Sequence, residues 1–193
     1  MRTRYVLPIA LVIGLGVASL AVASTRDHHK SSQNQVTAFL NGHNETPAVH
    51  SSGTGKLTLT INADNTMSYT LTYSGLNNPA TVAHVHIGQP NVSGGVVFFF
   101  CGGGTKVGTP CPAGNTTTPV SVSGTVTAAD IVPQLTQGIQ PGAAGLAAVV
   151  QEIRGGFAYA NIHTAVSPAG EIRGQLGSHG HDHGDDQDDD DDD

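Results

Sequence analysis

The chain has 193 residues, 15 acidic against 8 basic, for a formal net charge of −7. Nine of those acids fall in the last seventeen residues, GSHGHDHGDDQDDDDDD, so the interval 36–176, with five acids against four bases, is almost neutral. No basic patch is left to neutralise phosphates, which excludes nucleic acid as the expected partner.

The first segment reads as an export signal. Met1-Arg2-Thr3-Arg4 is basic, residues 5–20 are apolar, and Ala21 and Ala23 form an A-x-A cleavage site. This pattern predicts a signal peptide over 1–23 and a mature chain from about Ser24. The apolar run is short of the roughly 20 residues that a membrane span needs, so no span is expected in the mature form. An uncleaved anchor is the alternative. A lipid anchor is not expected, since no cysteine lies directly after the apolar run. The expected location is secreted or periplasmic, with polar residues 24–35 as a flexible lead-in.

Residues 36–176 form one domain long enough to bury a core. Strands are predicted at 36–41, 55–62, 67–76, 81–88, 95–101, 119–127, 157–164 and 169–176. Most alternate apolar and polar residues, and turn clusters such as NADN, NNP and QPNVSGG separate them. Short strands at this spacing predict an all-β, two-sheet sandwich.

The fourth strand contains TVAHVHIG. Residues i and i+2 of a strand share a face, so His84 and His86 stand side by side. Cys101 and Cys111 then flank the turn-rich GGGTKVGTP. In an oxidising compartment this pair reads as a disulfide, worth about 2–3 kcal/mol for so short a loop. A thiolate metal site is the competing reading, although zinc cysteines usually come as close pairs with further ligands.

Residues 127–135, TAADIVPQL, suggest a short helical turn ended by Pro133. PGAAGLAAVVQEIRGG follows, with Leu146, Val149, Val150 and Ile153 at helical spacing, Pro141 before and Gly155-Gly156 after. It predicts one amphipathic helix packed over an end of the sandwich.

His163 lies near the end of the next strand, in FAYANIHT. With His84 and His86 it makes a three-imidazole set drawn from two strands. Ligands at i and i+2 are about 6.5–7 Å apart along a strand, and a neighbouring strand lies about 4.8 Å away. Such a set can hold copper or zinc with one position left for water or substrate. The competing reading has these histidines donating to backbone carbonyls or packing against loops. In the last strand Glu171 and Arg173 alternate around Ile172. They are expected on the surface, or as a cross-strand pair. In the tail, His179, His181 and His183 beside the aspartate run are candidates for weak metal chelation. The alternative is a solubilising, disordered acidic end.

FLNGHNETPAVHSSGTGKLTLTIN, YTLTYSGL, AHVHIG and YANIHTAVSPAGEIRGQL occur in the order and spacing of the CHRD domain, the module named after chordin. The chain resembles that family over 36–176. The resemblance implies an immunoglobulin-like sandwich in an extracellular protein. The family stretch similar to L-x-G-x-x-E-x-P-P reads LNGHNETPAV here, with Ala48 at the second proline. His43 and His50 are additional; they either extend a polar site around Glu45 or stand in an exposed loop.

The expected function is a secreted, non-catalytic binding module for an extracellular protein or cell-surface component. The alternative is a copper- or zinc-binding protein using His84, His86 and His163. A superoxide-dismutase-like enzyme is a remoter form of it, since no bridging histidine or aspartate zinc loop is identifiable and His43 or His50 would have to complete the copper site. A passive matrix role is the third reading. No G-x-S-x-G is present, so Ser-His-Asp catalysis has no support.

Overall fold

The computed structural model of the chain describes residues 34–177. The expected signal peptide, residues 24–33 of the lead-in, and the tail with His179, His181 and His183 lie outside the described residues. Eight strands and one longer helix follow in order: β1 Gln35–Asn41, β2 Thr54–Ile61, β3 Met67–Ser74, β4 Ala80–Ile87, β5 Gly95–Cys101, β6 Val120–Val126, α1 Gly142–Arg154, β7 Ala158–Thr164 and β8 Ile172–Leu176. No helix among the described residues is long and apolar enough to cross a membrane.

The β class and the one longer helix among the described residues agree with the sequence; the sheet arrangement does not. All pairings are antiparallel, and the strands form one sheet in the order β5-β4-β7-β8-β1-β2-β3-β6. The expected immunoglobulin-like pair of separate sheets is replaced by two four-stranded halves joined at β8 and β1. That joint rests on one ladder position, Asn41 opposite Arg173. Gly174 lies against it, where a Cβ would stand 2.6 Å from the Phe39 carbonyl oxygen, so only glycine lets the two backbones approach this closely. The two halves approach through the core, where the Tyr69 hydroxyl of β3 in one donates to the Phe100 carbonyl of β5 in the other. The sheet is thereby nearly closed into a barrel.

Alternation sets the core. Leu57, Leu59 and Ile61 of β2, Met67, Leu71 and Tyr73 of β3, Ala83, Val85 and Ile87 of β4, and Ala158, Ala160 and Ile162 of β7 are all buried inside. The run VVFFFC in β5 does not alternate, and the reason is register. Ala83 pairs with Cys101 and His84 with Phe99, while Val85 pairs with Phe98 and His86 with Val96. Two bulges therefore insert Phe100 and Val97, which lets β5 send Val97, Phe98, Phe100 and Cys101 inward while Phe99 turns to the other face.

The helix α1 buries Leu146, Val149, Val150 and Ile153, the stripe its spacing predicts. The predicted turn at 127–135 is a 3-10 turn over Ala128–Asp130. Its start is capped reciprocally by the Thr127 and Asp130 side chains and backbone. Cys101 and Cys111 are joined as a disulfide, with their Cα atoms 5.1 Å apart.

Candidate metal centre

The alternation that sends Ala83, Val85 and Ile87 inward sends His84 and His86 to the opposite face of β4. On β7, the same rule places Tyr159, Asn161 and His163 on that face, and on β8 Arg173 and Gln175. In many antiparallel sheets such a face meets solvent. Here loops cover it, and it forms a second, polar interior. The backbone of Gly103 and Gly104, inside the disulfide loop, lies against the Phe99 ring, and that ring stands edge-on to His84 at 5.1 Å. The β4–β5 loop sets the Gly94 carbonyl on His86, and the β7–β8 turn sets the Pro168 carbonyl on His163.

The three histidines predicted from the sequence are brought together. His84 and His86 are 4.6 Å apart between ring centroids, and His84 and His163 4.5 Å. One nitrogen of each lies within 4.8 Å of one nitrogen of the other two. Three points so spaced share a centre no more than about 2.8 Å from each, so shifts below about 1 Å would reach the ~2.0–2.1 Å of a metal–imidazole bond.

The hydrogen bonds fix which nitrogens are free. A carbonyl can only accept, so Nδ1–H of His86 donates to Gly94 at 2.8 Å and Nδ1–H of His163 donates to Pro168 at 3.0 Å. Both rings therefore present a bare Nε2, the tautomer that metal-ligating histidines adopt when a backbone carbonyl holds the other nitrogen. Nε2 of His163 and Nδ1 of His84 are buried without a hydrogen-bond partner. Each such orphan costs about 1–3 kcal/mol unless something satisfies it.

The electrostatics keep all three rings neutral. Burial pushes the His84 pKa down to about 2, and the neighbouring His86 and His163 push it the same way. Burial also pushes His86 down, to about 4, against the opposing pull of the Gly94 carbonyl. His163 is lowered by burial, with Pro168 acting in the other direction. Neutral imidazole is the form that binds a metal, so no proton has to be displaced near neutral pH. The donor set is three nitrogens without sulfur, which suits copper and zinc.

Tyr159 and Asn161 escaped the sequence reading, as did the burial of Arg173 and Glu45 beside the histidines. His86 stacks face to face on Tyr159 at 4.6 Å, and the Arg173 guanidinium lies 3.4 Å from the centre of the Tyr159 ring. Arg173 donates through Nη2 to the carbonyls of Gln89 and Val92, each at 3.0 Å. Glu45 is buried and accepts a hydrogen bond from the Asn161 amide. Burial raises its pKa to about 7, against the lowering effects of Arg173, Asn161 and the Thr46 backbone. The pattern Y-x-N-x-H, read with a period of two, would have placed Tyr159 and Asn161 beside His163.

Two expectations are corrected. Glu171 and Arg173 are neither on the surface nor paired with each other; both are buried. The Glu171 carboxylate accepts from Ser51 Oγ, the Asn77 backbone N–H and Thr164 Oγ1, at 2.6–2.7 Å, and so ties three segments together. Loops arriving from 42–52 and 88–94 bury what the strand pattern alone leaves exposed. His43 and His50 are exposed loop residues, outside the three-histidine group.

A family model described as the CHRD domain matches residues 36–176, spanning every strand of the sheet but the first residue of β1. No curated protein and no solved structure matches the chain.

Proposed function

The chain belongs to the CHRD-domain family, and from that premise we propose that it is an extracellular binding module whose own ligand is a transition-metal ion. Copper is favoured over zinc, because affinities of nitrogen sites rise to a maximum at copper(II). His84, His86 and His163 hold the ion, and a fourth position stays open.

One observation carries this reading: one nitrogen of each ring lies within 4.8 Å of one nitrogen of the other two, and backbone carbonyls hold Nδ1 of His86 and Nδ1 of His163. Histidines that merely packed or capped carbonyls would not leave two nitrogens of one cluster buried and unpartnered. The disulfide supports an oxidising compartment, in keeping with secretion.

The test is a copper and zinc titration of the full chain carrying His179→Ala, His181→Ala and His183→Ala, so that the tail does not compete. One equivalent bound by this protein, and lost when His84→Ala or His163→Ala is added, supports the reading. Binding unaffected by either change contradicts it.

Capture of an extracellular protein or cell-surface component is the second reading. It is favoured by Phe39, which is 67% exposed beside Lys56 on the outer face of the β1-β2-β3-β6 half. Neither reading assigns turnover to the domain.

A further inference from the structure

Against His86, one of the three imidazoles, lies a cavity of about 150 Å³, lined among others by Glu45, Tyr159, Asn161 and Arg173. At about 30 Å³ per water it has room for a ligand of three to five heavy atoms. Its wall holds an unusual charge. Arg173 is only 3% exposed, and the one ion pair among the described residues is Lys106–Asp130, so no carboxylate lies within ion-pairing distance of the guanidinium.

A buried cation with no carboxylate in ion-pairing distance costs several kcal/mol unless other groups offset it, and Glu45 acts on Arg173 from longer range. Two carbonyls on Nη2 and the Tyr159 face supply part of that. No hydrogen bond among the described residues occupies Nη1 or Nε. The nearest acid, Glu45, has an oxygen committed to Asn161. The cavity thus offers guanidinium nitrogens free to donate, next to a histidine of the metal set.

We propose that this cavity is a subsite for a small oxyanion, of the size of formate or hydrogencarbonate, which accepts from Arg173 and fills the open position of the metal. The inference rests on the metal reading above and names the ligand class that would complete that centre. Arg173 supplies the charge and the fork of donors. Tyr159, between Arg173 and His86, fixes the spacing of the anion site from the metal. Glu45 acts against the anion when ionised and so limits its affinity.

The experiment uses the full chain with the tail substitutions, loaded with one equivalent of copper(II). Azide serves as the probe, followed by its charge-transfer absorption, and formate and hydrogencarbonate as competitors. We expect saturable azide binding displaced by both competitors. Arg173→Gln weakens azide at least tenfold while copper affinity stays within about threefold. Glu45→Gln, which removes a charge and keeps an acceptor for Asn161, strengthens azide several-fold.

Unchanged azide affinity in Glu45→Gln, with copper bound normally, overturns the subsite even if Arg173→Gln fails to fold. Azide binding that neither competitor displaces overturns it as well. Failure of the parent protein to take up copper overturns the metal reading, and the subsite with it, at a separate and earlier step.

Discussion

The ring centroids of His163 and His84 stand 4.5 Å apart, and each ring carries a buried nitrogen without a hydrogen-bond partner. Their contact is costly without a shared ligand, which predicts how substitution behaves. His84→Leu removes a buried orphan and leaves the metal-free protein as stable as the parent, or more so. Excess copper at about 100 times Kd stabilises the parent by ~2.7 kcal/mol, about 5–10 °C in Tm, and leaves the leucine variant unmoved. Thermal denaturation with and without copper checks both parts.

Acid should unfold the metal-free protein through the same rings. His84 and His86 have folded pKa values of about 2 and about 4 against the ordinary 6.5. The unfolded chain takes up protons below that value which the folded chain refuses, so their contribution is full above it and falls away as pH drops towards 4 and then 2. The urea midpoint should therefore fall on acidification across that window.

Glu45 has the opposite sign. Its folded pKa of about 7 exceeds the ordinary 4.5, so its cost is absent below the lower value and full above the higher one. Glu45→Gln should gain on the order of 2 kcal/mol near pH 8 and nothing near pH 4. Urea titrations at the two pH values measure this, and an equal gain at both would show that the carboxyl is not desolvated.

Much of this site was legible from period and spacing. The H-x-H of β4 places two imidazoles on one face, and the Y-x-N-x-H of β7 adds the third beside Tyr159 and Asn161. The burial of Arg173 and Glu171 was not legible, because nothing in EIRGQL signals that loops from elsewhere cover it. The same holds for Glu45, which reads as a loop residue until Asn161 is seen donating to it. The single sheet was hidden for another reason. Strand patterns specify which face is buried, but the joint between the two halves depends on one pairing, Asn41 with Arg173, and on Gly174.

Gly170 is the test of how tightly that covered face is packed. It adopts φ +129°, and a Cβ there would stand 2.6 Å from the Asn161 amide nitrogen and 2.7 Å from a Glu45 oxygen. Gly170→Ala should cost about 2–3 kcal/mol, from backbone strain and displacement of the Glu45–Asn161 contact. Denaturant unfolding measures it. A loss below about 0.5 kcal/mol would mean that the turn relaxes freely.

The disulfide should matter to the site as well as to stability. Cys101 and Cys111 close a loop of sequence separation 10, worth about 2–3 kcal/mol in the chain-entropy model. That loop holds Gly103 and Gly104 against Phe99, which in turn backs His84. A Cys101→Ser, Cys111→Ser protein should lose that stability and bind copper more weakly than the parent. Equal copper affinity in the two would show that Phe99 keeps its place without the loop.

The most direct measurement is anomalous diffraction at the copper edge from crystals of the copper-loaded protein. The account predicts one strong peak about 2.0–2.1 Å from a nitrogen of each of His84, His86 and His163. A protein that takes up copper but shows its peak elsewhere, with these three rings empty, would contradict it.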